Sequence, residues 1–109
     1  MGIVWLPRTL KSVDKETKEE LEDELLHAGV FDEVADRTGV GINIDAVIEA
    51  LMWICEYPGG NYCPAVVTEG SKAIVIKIRA DAEDPVEIYD LTAYLVRHVK
   101  GLLTWSPTE

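Results

Sequence analysis

The sequence predicts an α+β fold: a three-helix core, a β-hairpin directly after it and an added C-terminal helix. Two patterns carry this. Apolar residues recur at three- and four-residue spacing in separate stretches, and β-branched residues flank a glycine-containing turn. Glycine-bearing breaks between the helical patterns then say where the helices part. At 109 residues, with 48% hydrophobic and 28% charged side chains, the chain has the size and composition of one globular domain.

Residues 2–6, GIVWL, are apolar and stopped by Pro7, which fits a brief edge strand with Trp5 as an anchor. Helix one is expected to start at 14–17 and run to 27. Ser12, Asp14 and Thr17 can each cap it, and Thr17 with Glu20 matches a capping box. Val13, Thr17, Leu21, Leu25 and Ala28 share its inward face, flanked by a run of carboxylates from Glu19 to Glu24. His27 stands near its end, where positive charge suits the helix dipole. Helix two covers 31–37, and Gly39 and Gly41 then permit a tight turn.

Helix three is expected from Asn43 or Asp45 to about residue 57, buried along Ile44, Val47, Ile48, Leu51, Ile54 and Cys55. Asp45, Glu49, Trp53 and Glu56 fall on the opposite side. Pro58, Gly59, Gly60 and Asn61 mark the stop. Strands follow at 65–68 and 73–80, joined by Glu69-Gly70-Ser71-Lys72. In the second, Ile74, Ile76 and Ile78 alternate with Val75, Lys77 and Arg79, so one face is buried and the other partly wet. A last helix is expected from Asp84 as cap and Pro85 as first residue. Ile88, Leu91, Leu95, Val99 and Leu102 form its stripe, wide enough to pair with a second copy, with Tyr89 and Tyr94 at the rim. The tail WSPTE is expected to fray.

Charge narrows the partners. Twenty acidic against ten basic side chains give a net charge of −10 and a pI near 4.5. Long-range repulsion disfavours nucleic acid and anionic membranes, and the same field favours a basic protein. Positions 38–71 hold no Lys or Arg. No apolar run approaches the roughly 20 residues that span a bilayer, and MGIVWLPRTLK lacks the marks of a signal peptide. The cytoplasm is the expected location.

Chemistry-bearing residues are sparse. Cys55 and Cys63 read first as reduced, mostly buried thiols. Adding His27 and His98 makes a four-ligand set without zinc-site spacing, so no metal and no cofactor is expected. GVGIN has twin glycines but neither a preceding strand nor a following Lys, unlike a phosphate loop. Cys55 with His98, or Cys63 with His27, can be written as nucleophile and base, yet nothing in the spacing favours either.

The order strand, three helices, hairpin, helix resembles a winged helix-turn-helix domain over residues 13–80, with Gly39 in the turn and the hairpin directly after helix three. A small sandwich with helices on one face of a three-stranded sheet is the rival architecture. The resemblance implies DNA binding through helix three and the wing. By position that puts Asp45, Ala46, Glu49 and Ala50 on the reading face and Lys72, Lys77 and Arg79 in the wing. Winged helices also serve as protein-interaction modules, and an acidic helix three fits that role. Two expectations result. One is a non-enzymatic acidic domain holding a basic protein through Asp45, Glu49, Trp53 and Glu56, as an inhibitor, immunity-type protein or nucleic-acid mimic. The other is a DNA-binding transcriptional regulator, dimeric through Ile88, Leu91 and Leu95 of the last helix.

Overall fold

Val4, Val66, Val75 and Tyr89 stand in register across four antiparallel strands, and the helices pack over that row. The computed structural model describes residues 2–55, 61–79, 81–82 and 84–104. Strand β1 (Gly2–Trp5) and a 3-10 turn (Leu10–Ser12) precede helices α1 (Lys15–His27), α2 (Val30–Thr38) and α3 (Ile44–Cys55). Strands β2 (Tyr62–Glu69), β3 (Lys72–Arg79) and β4 (Pro85–Asp90) follow, then helix α4 (Leu91–Thr104). The fold is α+β, with a four-stranded sheet in the order β1-β2-β3-β4.

Local chemistry sets the helix starts. Asp14 Oδ1 accepts from the Thr17 amide at 2.9 Å, Asn43 Oδ1 from that of Ala46 at 2.9 Å, and Asp90 Oδ1 from that of Ala93 at 3.1 Å. Each satisfies one of the orphan amides of a first helical turn. Between α2 and α3 the chain turns at Gly39, whose φ of 77° is left-handed and favours glycine. The Thr38 hydroxyl fastens this turn, donating to the Val34 carbonyl at 2.7 Å and accepting from the Val40 amide at 3.1 Å. His27 Nδ1 lies 2.9 Å from the Asp23 carbonyl, one turn back in the last turn of α1.

One core joins all these elements. Leu21 and Leu25 of α1, Val34 of α2, Leu51 of α3 and Leu91 and Leu95 of α4 are buried together with Val4, Val66 and Val75. Truncating such a leucine to alanine costs about 2–5 kcal/mol, because transfer energy and a cavity add. Ala65 and Ile78 are also buried but lie outside this cluster, on the sheet's other face. The helices therefore cover one face of the sheet.

The start of the last helix is corrected. Residues 85–90 are strand β4 and not the start of the last helix. Val75, Ile76 and Lys77 recruit Tyr89, Ile88 and Glu87 as antiparallel partners, so α4 starts only at Leu91, with Asp90 in place of Asp84 as its cap. The faces of β3 are also assigned: Ala73 and Val75 join the core, while Ile74 and Ile76 lie on the open side. Trp5, paired with Ala65, stands on that open side at 66% exposure. The expected end of helix three at 56–60 and the tail at 105–109 lie outside the described residues.

Candidate functional site

Helix α3 presents two faces. Val47, Ile48, Ala50, Leu51, Ile54 and Cys55 turn into the core, and 3.6-residue periodicity then sends Asp45, Glu49 and Trp53 to the outside. These three succeed one another at four-residue steps on one exposed ridge, with Trp53 at 53% exposure. Glu56, expected on the same side, lies outside the described residues.

The ridge is not purely anionic. Lys18 of α1 reaches Asp45 at 3.1 Å, with both side chains well exposed. Exposed pairs of this kind contribute about 0.2–1 kcal/mol, so the carboxylate can exchange Lys18 for another cation. Lys11, Lys18, Asp45, Glu49 and Met52 border a shallow groove of about 380 Å³ along this side of α3. It offers alternating charge over an apolar floor, suited to side chains of a macromolecule.

The wing cations separate. Lys72 is exposed beside the β2–β3 turn. Lys77 is buried at 8% exposure, on the helix-bearing face, with its ammonium 4.4 Å from the centre of the Tyr62 ring and 3.5 Å from Glu87. Arg79 holds Asp81 through two contacts of 3.3 and 3.2 Å. That hydrogen bonding raises the Arg79 pKa and lowers that of Asp81. The compact basic group expected from sequence thus contains one exposed, one buried and one engaged cation. Lys77 is corrected from wing residue to interior residue, because a tyrosine ring and a carboxylate enclose it.

Ile88, Leu91 and Leu95 do not form one stripe. Ile88 is 65% exposed on the open face of β4, whereas Leu91 and Leu95 are buried beneath α4. The exposed apolar residues of α4 are Leu102 and Leu103, near its end.

Burial favours the neutral forms of Tyr89, Tyr94 and Cys63. Burial, aided by Glu87, pushes the Tyr89 pKa up to about 12. Burial also raises the Tyr94 pKa, and the Tyr94 hydroxyl donates to the Ala50 carbonyl at 3.2 Å. The Tyr94 ring stacks on His98 with centroids 6.4 Å apart. Burial raises the Cys63 pKa, and Arg8 partly opposes it. Cys63 stands on the open face of the sheet in register with Ile78, while His27 ends α1 in the helical layer. The sheet lies between them. Among the described residues no three His, Cys, Asp or Glu side chains are grouped to hold a metal ion, and no helix is long and apolar enough to cross a membrane.

Sequence reasoning missed contacts made by polar residues on the inward face of the strands. The Thr68 hydroxyl donates to Glu24 Oε2 at 2.8 Å, and Lys77 is enclosed by Tyr62 and Glu87. The only signal for either was a polar residue at an otherwise inward strand position. Comparison of the chain with models of protein families, with curated proteins and with solved structures found no match.

Proposed function

We propose that this chain is a non-enzymatic acidic interaction domain that binds a basic protein partner along the exposed ridge of α3, in an inhibitory, immunity-type or nucleic-acid-mimicking role. The observation that carries the reading is the exposure of Asp45, Glu49 and Trp53 on one side of a helix that contains no Lys or Arg. Carboxylates spaced by one turn on a rigid helix present a fixed row of negative charge, and a large aromatic at its end supplies the anchor on which interface energy concentrates. The net charge of −10 speeds encounter with a cationic surface and selects against anionic ones.

The order of α1–α3 and the β2–β3 hairpin, with the left-handed Gly39 turn, supports a winged-helix-like description of that part. DNA binding draws little support from the same region. Lys77 is interior and Arg79 is engaged by Asp81, so few cations are left to displace counterions from phosphates.

The test is differential capture. Immobilised wild-type chain and a chain carrying Asp45→Lys and Glu49→Lys are challenged with the same native extract at low ionic strength. The reading requires a basic protein that the first retains and the second loses, with an association rate that falls as salt rises. Equal capture by both chains would overturn it.

A further inference from the structure

We propose that the open face of the sheet is a dimerisation surface, covered by a second copy of this chain packed sheet against sheet. This goes beyond the α3 reading and does not rest on it. Strand register places Trp5, Ala65, Ile76 and Ile88 in one row across all four strands, with Val67 and Ile74 in the next. Trp5 and Ile88, at the two ends of their row, are about two-thirds exposed. Asp90 ends the second row, and its carboxylate is occupied in capping α4. Among the described strand residues, charge on this face is confined to its rim, at Asp90 and at the paired Glu69 and Lys72 beside the β2–β3 turn, and an apolar face of this extent is uncommon on a monomer.

Three arguments select a second copy as the occupant. The first is charge. A chain of net charge −10 repels its own kind, but the carboxylates of α1 and the α3 ridge stand in the helical layer, across the sheet from this face. A helix layer about 10 Å thick exceeds the Debye length of roughly 8 Å at physiological salt. Contact through the open face is therefore the approach that brings two copies together with least repulsion. With Asp90 engaged in the α4 cap and Glu69 paired across the turn with Lys72, the face also offers a cationic partner little to recognise.

The second argument is area. Four strands about 4.8 Å apart, each contributing about five residues at roughly 3.3 Å, give a flat footprint of about 300 Å². The relief of projecting side chains, Trp5 foremost, raises the accessible area towards the roughly 500 Å² per copy of the smallest specific interfaces. The third is shape and edges. With a two-fold axis along the strands between β2 and β3, Ile76 of each copy meets the partner's Ala65, and Trp5 meets the partner's Ile88. Ala65 carries only a methyl group and is covered by its own neighbours at 1% exposure, so Ile76 lies over a low centre between the exposed Trp5 and Ile88, an arrangement that aligned sheet packing accommodates. Pro7 beyond β1, and Pro85 and Glu87 on β4, hinder addition of a further strand at either edge. That leaves the face as the sheet's means of association.

Sedimentation equilibrium of the whole chain, wild type and Ile76→Lys, tests the proposal, with circular dichroism to show that the variant is folded. Val67→Lys serves as a second variant should the first not fold. A dimer is expected for the wild type, tightening as salt screens the net charge. The lysine variant should dissociate at least about 100-fold more readily, since it buries an unpaired charge in the contact. A wild type that stays monomeric at high protein concentration overturns the proposal. So does a dimer that survives the lysine variants but dissociates with Leu102→Lys and Leu103→Lys, which places the contact on the end of α4.

Discussion

The Thr68 hydroxyl donates a hydrogen bond of 2.8 Å to the Glu24 carboxylate, tying the middle of α1 to the end of β2 across the edge of the helical layer. Thr68 is buried, and Gly2 opposite it has no side chain because the Glu24 carboxylate occupies that space. An alanine methyl at position 2 would displace the flexible end of Glu24 and pull it off Thr68.

Three substitutions should therefore act through one contact. Glu24→Ala and Thr68→Val are each expected to cost about 1 kcal/mol, the typical net value of such a bond, and Gly2→Ala should cost a similar amount. On a chain of this size that is a fall of about 4–8 °C in melting temperature. Combining Glu24→Ala with Gly2→Ala should add little to either alone, since both remove the same bond. Thermal melts of the singles and the double check this, and additive losses would show that the contact is not shared.

Lys77 gives a sharper contrast between size and charge. Its stem lies in the interior, while its ammonium meets the Tyr62 ring at 4.4 Å and Glu87 at 3.5 Å. Glu87 is half exposed and keeps its hydration when the lysine is gone. Lys77→Met retains the packing of the stem and is expected to change stability by less than about 1.5 kcal/mol. Lys77→Glu buries a carboxylate beside another and should cost about 3 kcal/mol or more. Urea denaturation of the two variants measures the difference. Similar midpoints for both would mean that position 77 is hydrated and available to a ligand.

The helices were legible because their evidence is local. The inward stripes of α1 and α3, and the exposed ridge of Asp45, Glu49 and Trp53, follow from spacing within one helix. Strand β4 was not, because Ile88, Leu91 and Leu95 also fit a helical stripe and Pro85 suits a first helical turn. Pairing with Val75, Ile76 and Lys77 decided otherwise. The inward face of β3 was likewise set by pairing with Val66 and, beyond it, with Val4, which lies far away in sequence. Hydrophobicity alone does not order Ile76 against Val75. The bond between Lys18 and Asp45 was hidden for the same reason: its partners are brought together by the packing of α1 against α3, which no window of sequence contains.

Tyr89 makes the alkaline limit of the fold predictable in sign. Burial comes first among the causes, with Glu87 second, and together they push its pKa from 10.0 up to about 12. The folded state therefore favours the neutral phenol more than the unfolded chain does. Its contribution is fully present below pH 10.0 and is lost as pH rises towards about 12, because the unfolded state ionises first and gains from it. Tyr94, raised by burial as well, acts in the same direction and is left in place as an internal reference. Tyr89→Phe keeps the ring, 6.1 Å from that of Tyr94, and removes the ionisable group. The variant should lose stability less steeply than wild type between pH 10.0 and about 12, while below that window the difference between the two stays constant. Urea midpoints across the range measure the slopes, and tyrosinate absorbance in the folded protein should show one fewer late-titrating phenol in the variant. Parallel slopes for the two proteins would mean that Tyr89 ionises equally in both states and that its burial does not couple to folding.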